Sequence, residues 1–372
     1  VIDAQTFIKR FEQYCPLDLA EEGDPVGLHI GTLNKSVKKI MMTLDVRPDV
    51  VQEAINENVD LIIAKHPPIF RPVKRLTTDH FQTKMYADLL ANDIAVYAAH
   101  TNMDIINPGL NDWFCEMLGV TPSDYLRETH KIKYKKLVLF VPTEARETVR
   151  SALHNIGVGE YSDDYDSCSF SVSGIGRFRP KNNANPTVGK MDWVTEVPEE
   201  RIEFVFKESL RDKVIQTIYD THPYEEPAFD IFPLENISES FGIGRIGRLA
   251  NPMPLSEFTQ VVKETFKLDG LRLIANSDDV MIEKVAICGG SGEKFYHDAL
   301  KKGADVYITG DVYYHTAHDM LEDQLPVIDP GHYIEEVCKS RFVDLFNEWK
   351  KEEKWDVEFI ESKVNTNPFK FI

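Results

Sequence analysis

The sequence predicts an α/β protein in which two facing, quasi-repeated βαβ halves form one core domain, with a ferredoxin-like α+β domain inserted between them. Three observations lead there. Strand-length apolar runs alternate with helical patterns on both sides of the chain's middle. The middle itself changes order, to β-α-β and β-α-β around a segment rich in Pro, Asn and Gly. Finally, residues 39–66 align without a gap on residues 284–311, with Lys39/Lys284, Ala54/Ala299, Asp60/Asp305 and Ile63/Ile308 identical. The expected boundaries are 1–127 and 244–372 for the two halves of the core and 128–243 for the insert.

Phe7, Ile8, Phe11 and Tyr14 recur at helical spacing, so residues 4–14 read as a helix. IMMTLDV (40–46) is a strand, 48–58 a helix, and DLIIA (60–64) a second strand that runs into Lys65-His66 and two prolines. A helix at 80–92 leads to the strand AVYAA (95–99), then to a helix in GLNDWFCEMLGV (109–120). In the middle, the strand KKLVLFVP, the helix EARETVRSALHNIG and the strand SCSFSVSG precede the hairpin RPKNNANPTVGK. The strand RIEFVFK, the helix SLRDKVIQTIYDT and the strand AFDIFPL complete the insert. After residue 250 the alternation returns: helices at 254–267, 293–303, 312–322 and 333–351, strands at 283–288, 305–309 and 325–329.

At 372 residues the chain is too long for one ordinary core. Its 42% hydrophobic and 28% charged residues are those of a soluble globular protein. No apolar run approaches the ~20 residues of a membrane span, and VIDAQTFIKRFEQYC lacks a signal-peptide core. Five scattered cysteines without a CxxC pair read as reduced thiols in a cytoplasm. A net charge of −19 disfavours nucleic acid as a partner, and the short basic run KIKYKK (131–136) reads as a solvated face.

The candidate chemistry sits at strand ends. His66 follows one strand. AVYAAHTNMD puts His100 after the next, with Asp104 four residues on; PVIDPGHYIEE puts His332 after a strand of the second half, with Glu336 four residues on. Read as helical, i and i+4 share a face and can converge on one ion. Asp311 stands where His66 does in the other half. Open α/β sheets place ligand crevices at the carboxyl ends of their strands. Mixed His and carboxylate ligands suit zinc, iron or manganese, and carboxylates can bridge two ions. His100 reads as a further ligand or a proton-transfer group, with His315 as a weaker second choice. His222, in THPYEEP, reads as structural. GIGRIG (242–247) matches GxGxxG without the strand–turn–helix context of a dinucleotide site, and it and GIGR (174–177) read as backbone devices.

Taken in order, GDPVGLHIG (23–31), DLIIAKHPPIF (60–70), AAHTNMD (98–104), ITGDVYYH (308–315), DPGHYIEE (329–336) and the ending NPFKF resemble the Nif-three-like family. Many of its members are labelled GTP cyclohydrolase I type 2 homologues. The insert, with GIGRFRP and THPYEEPAFDI, resembles the PII-like or CutA-like domain of the longer bacterial members. The resemblance implies a two-metal site lined by His66, Asp104, His332 and Glu336, and a toroidal homohexamer. Many relatives carry two histidines where this chain has Lys65-His66. An ammonium ion is no ligand, so Lys65 is expected to support the site as a charge. The expected cofactor is a divalent metal, one or two per chain.

The function expected is a hydrolase that uses metal-activated water on a C–N or phosphoester bond. Lys65, Arg71 and Lys74 are the candidates for holding a phosphate. The alternative is a non-catalytic metal-binding or small-molecule-sensing scaffold with a regulatory insert. Its own copies and an unidentified small molecule are the expected partners, with neither nucleic acid nor membrane among them.

Overall fold

The structure, a computed structural model, describes residues 1–161 and 164–372. The chain forms a mixed α/β fold with several sheets. It divides into two compact units: residues 1–130 with 241–372, and residues 131–240.

In the first unit, the apolar runs of the N-terminal half become strands buried on both faces, as parallel sheets require. Lys39–Thr43, Leu61–Ala64 and Ala95–Ala98 lie parallel and side by side. Glu358–Glu361 adds a parallel strand beside Lys39–Thr43, and Gly27–Ile30 closes the other edge antiparallel to Ala95–Ala98. The strand EFIE has no counterpart in the sequence reading, because four residues are too few for a period to register. In the C-terminal half, Met281–Ile287, Val306–Ile308 and Val327–Asp329 are again parallel neighbours. Arg272–Ile274 and the end of Phe229–Pro254 flank them antiparallel.

One interaction occurs in both halves at the aligned positions. Asp60 Oδ2 accepts from the amides of Lys38 (2.6 Å) and Lys39 (3.0 Å). Asp305 Oδ2 accepts from those of Glu283 (3.0 Å) and Lys284 (2.7 Å). Each carboxylate ties the start of one strand to the start of the next, which explains an aspartate at both places.

The first and last helices seal this core. Asp3 caps Ala4–Tyr14 by accepting from the Thr6 amide at 3.2 Å. Phe7 and Phe11 of that helix meet Phe342 and Phe346 of Val337–Glu352, with Phe7 edge-on to Phe346 at 5.1 Å. Each ring so buried contributes on the order of 2–3 kcal/mol.

GIGRIG proves structural. Gly244 takes φ +65°, which glycine adopts without strain. Arg245, fully buried, donates Nε and Nη2 to the two carboxylate oxygens of Asp112 (2.6 and 2.8 Å). Its remaining N–H groups reach the carbonyls of Gly242 (3.0 Å), Gly244 (2.7 Å) and Ile106 (2.7 Å). A guanidinium with so many fixed acceptors pins the second half of the chain to the first.

The second unit is built on antiparallel pairs. Residues 134–142 pair antiparallel with 199–207, and 170–178 pair antiparallel with 195–203. Alternate residues Leu137, Leu139 and Val141, and Ile202, Phe204 and Phe206, share a core with Val149 and Leu153 of Arg146–His154 and with Val214 and Ile218 of Arg211–Thr221. Among the described residues no helix is long and apolar enough to cross a membrane.

Candidate metal centre

The strand Leu61–Ala64 does not stop hydrogen bonding at its end. The amides of Lys65 and His66 donate to the carbonyls of Thr43 (3.0 Å) and Leu44 (2.8 Å), so both residues stay extended. Extended neighbours point to opposite sides, which sends His66 toward the crevice and leaves the Lys65 side chain only 1% exposed.

His332 follows Gly331 and opens a 3₁₀ turn, His332–Glu336, before the α-helix begins at Val337. With three residues per turn, positions i and i+3 eclipse. Glu335, and not Glu336, therefore lies on the face of His332.

His66, His332 and Glu335 form a group that can hold a metal ion. His66 Nε2 lies 2.9 Å and His332 Nε2 3.1 Å from Glu335 Oε2, and the two nitrogens are 3.2 Å apart. Ligand atoms on a tetrahedral ion at ~2.1 Å stand roughly 3.4 Å from one another, so this triangle fits one ion with little movement. Gly290 lines the same place at φ +67°; a Cβ there would stand 3.0 Å from Glu335 Oε1 and 3.5 Å from His332 Nε2.

Each imidazole is oriented by a carboxylate. His66 Nδ1 donates to Asp45 Oδ1 (2.7 Å), His332 Nδ1 to Asp311 Oδ2 (2.6 Å), and His100 Nδ1 to Asp24 Oδ1 (2.8 Å). A proton fixed on Nδ1 leaves the Nε2 lone pair for an ion. Asp311 is held at φ +54°, a left-handed conformation that aspartate tolerates better than most residues. Asp45 also accepts from Thr366 Oγ1 (2.5 Å), which ties the C-terminal segment to the site.

Beneath the triangle lies a buried charge cluster. Lys65 Nζ stands 3.1 Å from Asp104 Oδ2 and 3.5 Å from Glu335 Oε1. Burial pulls the Lys65 ammonium down in pKa, but the two carboxylates outweigh it and raise the group. Burial likewise opposes the Glu335 carboxylate, yet Lys65 and the two imidazoles hold it well below the usual range. For Asp104 burial wins, and its pKa is raised despite Lys65. Asp104 Oδ1 has no hydrogen-bond partner among the described residues, a costly state for a buried oxygen. Burial disfavours the His332 cation, but Asp311 and Glu335 outweigh it and push the group up to about 10.

The expected site residues are thus distributed as follows. His66 and His332 come together, with Glu335 as their carboxylate. Glu336 lies outside the triangle, its side chain 44% exposed and 3.6 Å from Lys339, because the turn is 3₁₀ and not α. Asp104 is buried beside Lys65. His100 packs edge-on to His66, with ring centroids 5.7 Å apart. His315 is exposed on Tyr314–Glu322 against Tyr313 and Tyr314 and is not one of the three. His222 is buried in the second unit, its ring bonded to the Phe140 carbonyl (2.9 Å). Sequence reasoning missed Glu335, Asp45 and Asp24. Asp45 and Asp24 carried a weak signal, since both follow the pattern of a carboxylate near a strand end or glycine turn.

Such a fold and donor set define an α/β protein with a two-histidine, one-carboxylate group able to hold a metal ion. The chain belongs to the Duf34/NIF3 (NGG1p interacting factor 3) family, whose profile matches residues 2–368. A GTP cyclohydrolase 1 type 2 homolog of Bacillus subtilis is 44% identical over 371 residues, covering 100% of this chain and 99% of that protein. The solved structure of a Bacillus cereus protein related to NIF3 superposes with a TM-score of 0.85 at 40% identity, all of both chains being covered. A Staphylococcus aureus structure gives 0.82 at 28% identity, with 100% and 99% covered.

Proposed function

We propose that the chain is a metal-dependent hydrolase acting on a C–N or phosphoester bond. The observation that carries this reading is the triangle of His66, His332 and Glu335 beside a buried, unpartnered Asp104 oxygen. A divalent zinc, iron or manganese ion held there supplies Lewis acidity and lowers the pKa of a water bound to it. Asp45 and Asp311 fix the imidazoles. Asp104 Oδ1 is free to accept a hydrogen bond from the attacking water. His100, its Nδ1 tied to Asp24, offers Nε2 for moving a proton to the leaving group. Arg71 and Lys74, exposed just beyond His66, suit an anionic substrate. Because the Bacillus subtilis relative is named a GTP cyclohydrolase 1 type 2 homolog, GTP heads the substrate panel.

The test is metal content by mass spectrometry on protein purified without chelator, with turnover assayed across nucleotide, amide and phosphoester panels. Bound metal lost in His332→Ala, and turnover lost in Asp104→Asn with the fold intact, are expected. Metal-dependent binding without turnover would favour a second reading, a small-molecule sensor. That reading draws on the second unit, where an open cavity of about 630 Å³ is lined by Arg177, Arg179, Lys181, Phe178 and Tyr224.

We read the second unit as a ferredoxin-like, PII-like insert, on its β-α-β-β-α-β order, and the two halves of the first as quasi-repeats, on the shared aspartate ties. A cytoplasmic homohexamer is proposed as well. The exposed Phe170, Val172 and Ile175 on the edge strand Phe170–Phe178 support self-association. Sedimentation equilibrium giving a monomer mass would overturn it.

A further inference from the structure

We infer that the Lys65 ammonium takes the place of a second cation, so that this centre holds one divalent ion per chain and not two. The inference rests on the metal-dependent reading above. Its physical basis is the way Glu335 is divided. Oε2 faces the two imidazoles at 2.9 and 3.1 Å, whereas Oε1 lies 3.5 Å from Lys65 Nζ. One carboxylate thus faces two positions for positive charge, the ammonium and the place beside the imidazoles where an ion would sit, as a bridging carboxylate does in a dinuclear site. Here one of the two is attached to the backbone.

The second anchor of that ammonium is Asp104 Oδ2 at 3.1 Å. The three side chains are 1%, 9% and 1% exposed, so water does little to screen them. Two carboxylates close together in a dry crevice would otherwise recruit a cation. Lys65 fills that role on a flexible four-carbon stem, with donors enough for the two oxygens it reaches. An ion placed between Asp104 and Glu335 would have to displace the ammonium or sit against it. Like charges at about 4 Å in such surroundings repel strongly. With the imidazoles in the neutral form in which they ligate an ion, two carboxylates and one ammonium leave the cluster a single net negative charge. That charge suits one divalent ion.

Lys65 is therefore a positioning residue. It holds Asp104 and Glu335 in place whether or not an ion is present. In the stripped protein the ammonium still faces both carboxylates, and removing the metal disturbs the fold little.

The experiment measures metal per chain and melting temperature for the wild type, Lys65→His and Lys65→Gln, each before and after chelator treatment. Expected are about one ion in the wild type and about two in Lys65→His, where an imidazole replaces the ammonium. In Lys65→Gln the two carboxylates lose their counter-charge, and the drop in melting temperature on stripping should be at least double that of the wild type. Two ions in the wild type would overturn the inference and leave the hydrolase reading intact. No ion in the wild type would overturn both. If Lys65→His does not fold, Lys65→Gln decides alone: an unchanged drop on stripping sinks the proposal.

Discussion

Changing Glu335 to glutamine, beside the matched change of Glu336, separates the 3₁₀ geometry from an α-helical one. Glu335 is buried, contributes one of the three ligand atoms and is one of two anions around Lys65. Glutamine keeps its volume and removes its charge. The loss of one ligand should weaken metal binding at least about 100-fold, or about 2.7 kcal/mol. In the metal-free protein the same change leaves Lys65 with a single carboxylate, and breaking a buried pair costs about 3 kcal/mol. Glu336 is half-exposed, bonded to Tyr333 and 3.6 Å from Lys339, the latter the kind of surface pair that contributes under ~1 kcal/mol. Its variant should bind metal within about threefold of the wild type. Competition against a chelating dye gives the affinities, and urea unfolding of stripped protein gives the stabilities. Equal losses in both variants, or a larger loss for Glu336→Gln, would refute the placement.

Three other outcomes are expected. Asp45→Asn removes the orienting partner of His66 and should weaken metal binding about 10–100-fold without loss of fold, read by the same competition. Arg245→Met leaves Asp112 without its counter-charge and several carbonyls unpaired in the core, so urea unfolding should show a loss of about 3–5 kcal/mol; a loss under ~1 kcal/mol would mean that the clamp contributes little. His332 carries a pKa raised from 6.5 to about 10 in the metal-free site. It is protonated at pH 7 and must lose that proton to become a ligand, so calorimetry in buffers of different ionisation enthalpy should show proton release on metal binding. By linkage, the stabilisation from His332 in stripped protein is fully present below pH 6.5 and is lost as pH rises through about 10. A stripped protein equally stable at pH 6 and pH 10 would contradict that assignment.

Much of the fold was legible because its strands are buried on both faces and so appear as unbroken apolar runs. Leu61–Ala64 and Ala95–Ala98 lie within segments read as strands, and Met281–Ile287 overlaps the strand read at 283–288. Glu358–Glu361 was not legible, since its place in the sheet depends on a neighbour more than 300 residues away. At the site, His66 and His332 could be picked out as polar residues ending apolar strands. The carboxylate could not, because i+3 and i+4 look alike until the turn type is known. Nor could the partnership of Asp45 with His66, or of Asp24 with His100, which join loops far apart in the chain.

The sequence by itself determined which residues lie at strand ends, since burial of apolar runs is a local pattern that periodicity records. It also determined that a lysine precedes His66. Only the tertiary structure decided what that lysine does. An ammonium is stabilised or expelled according to the charges within a few ångströms, and the carboxylates of Asp104 and Glu335 come from positions 39 and 270 residues further along the chain. Distance in space governs electrostatics, and distance in space is what folding supplies.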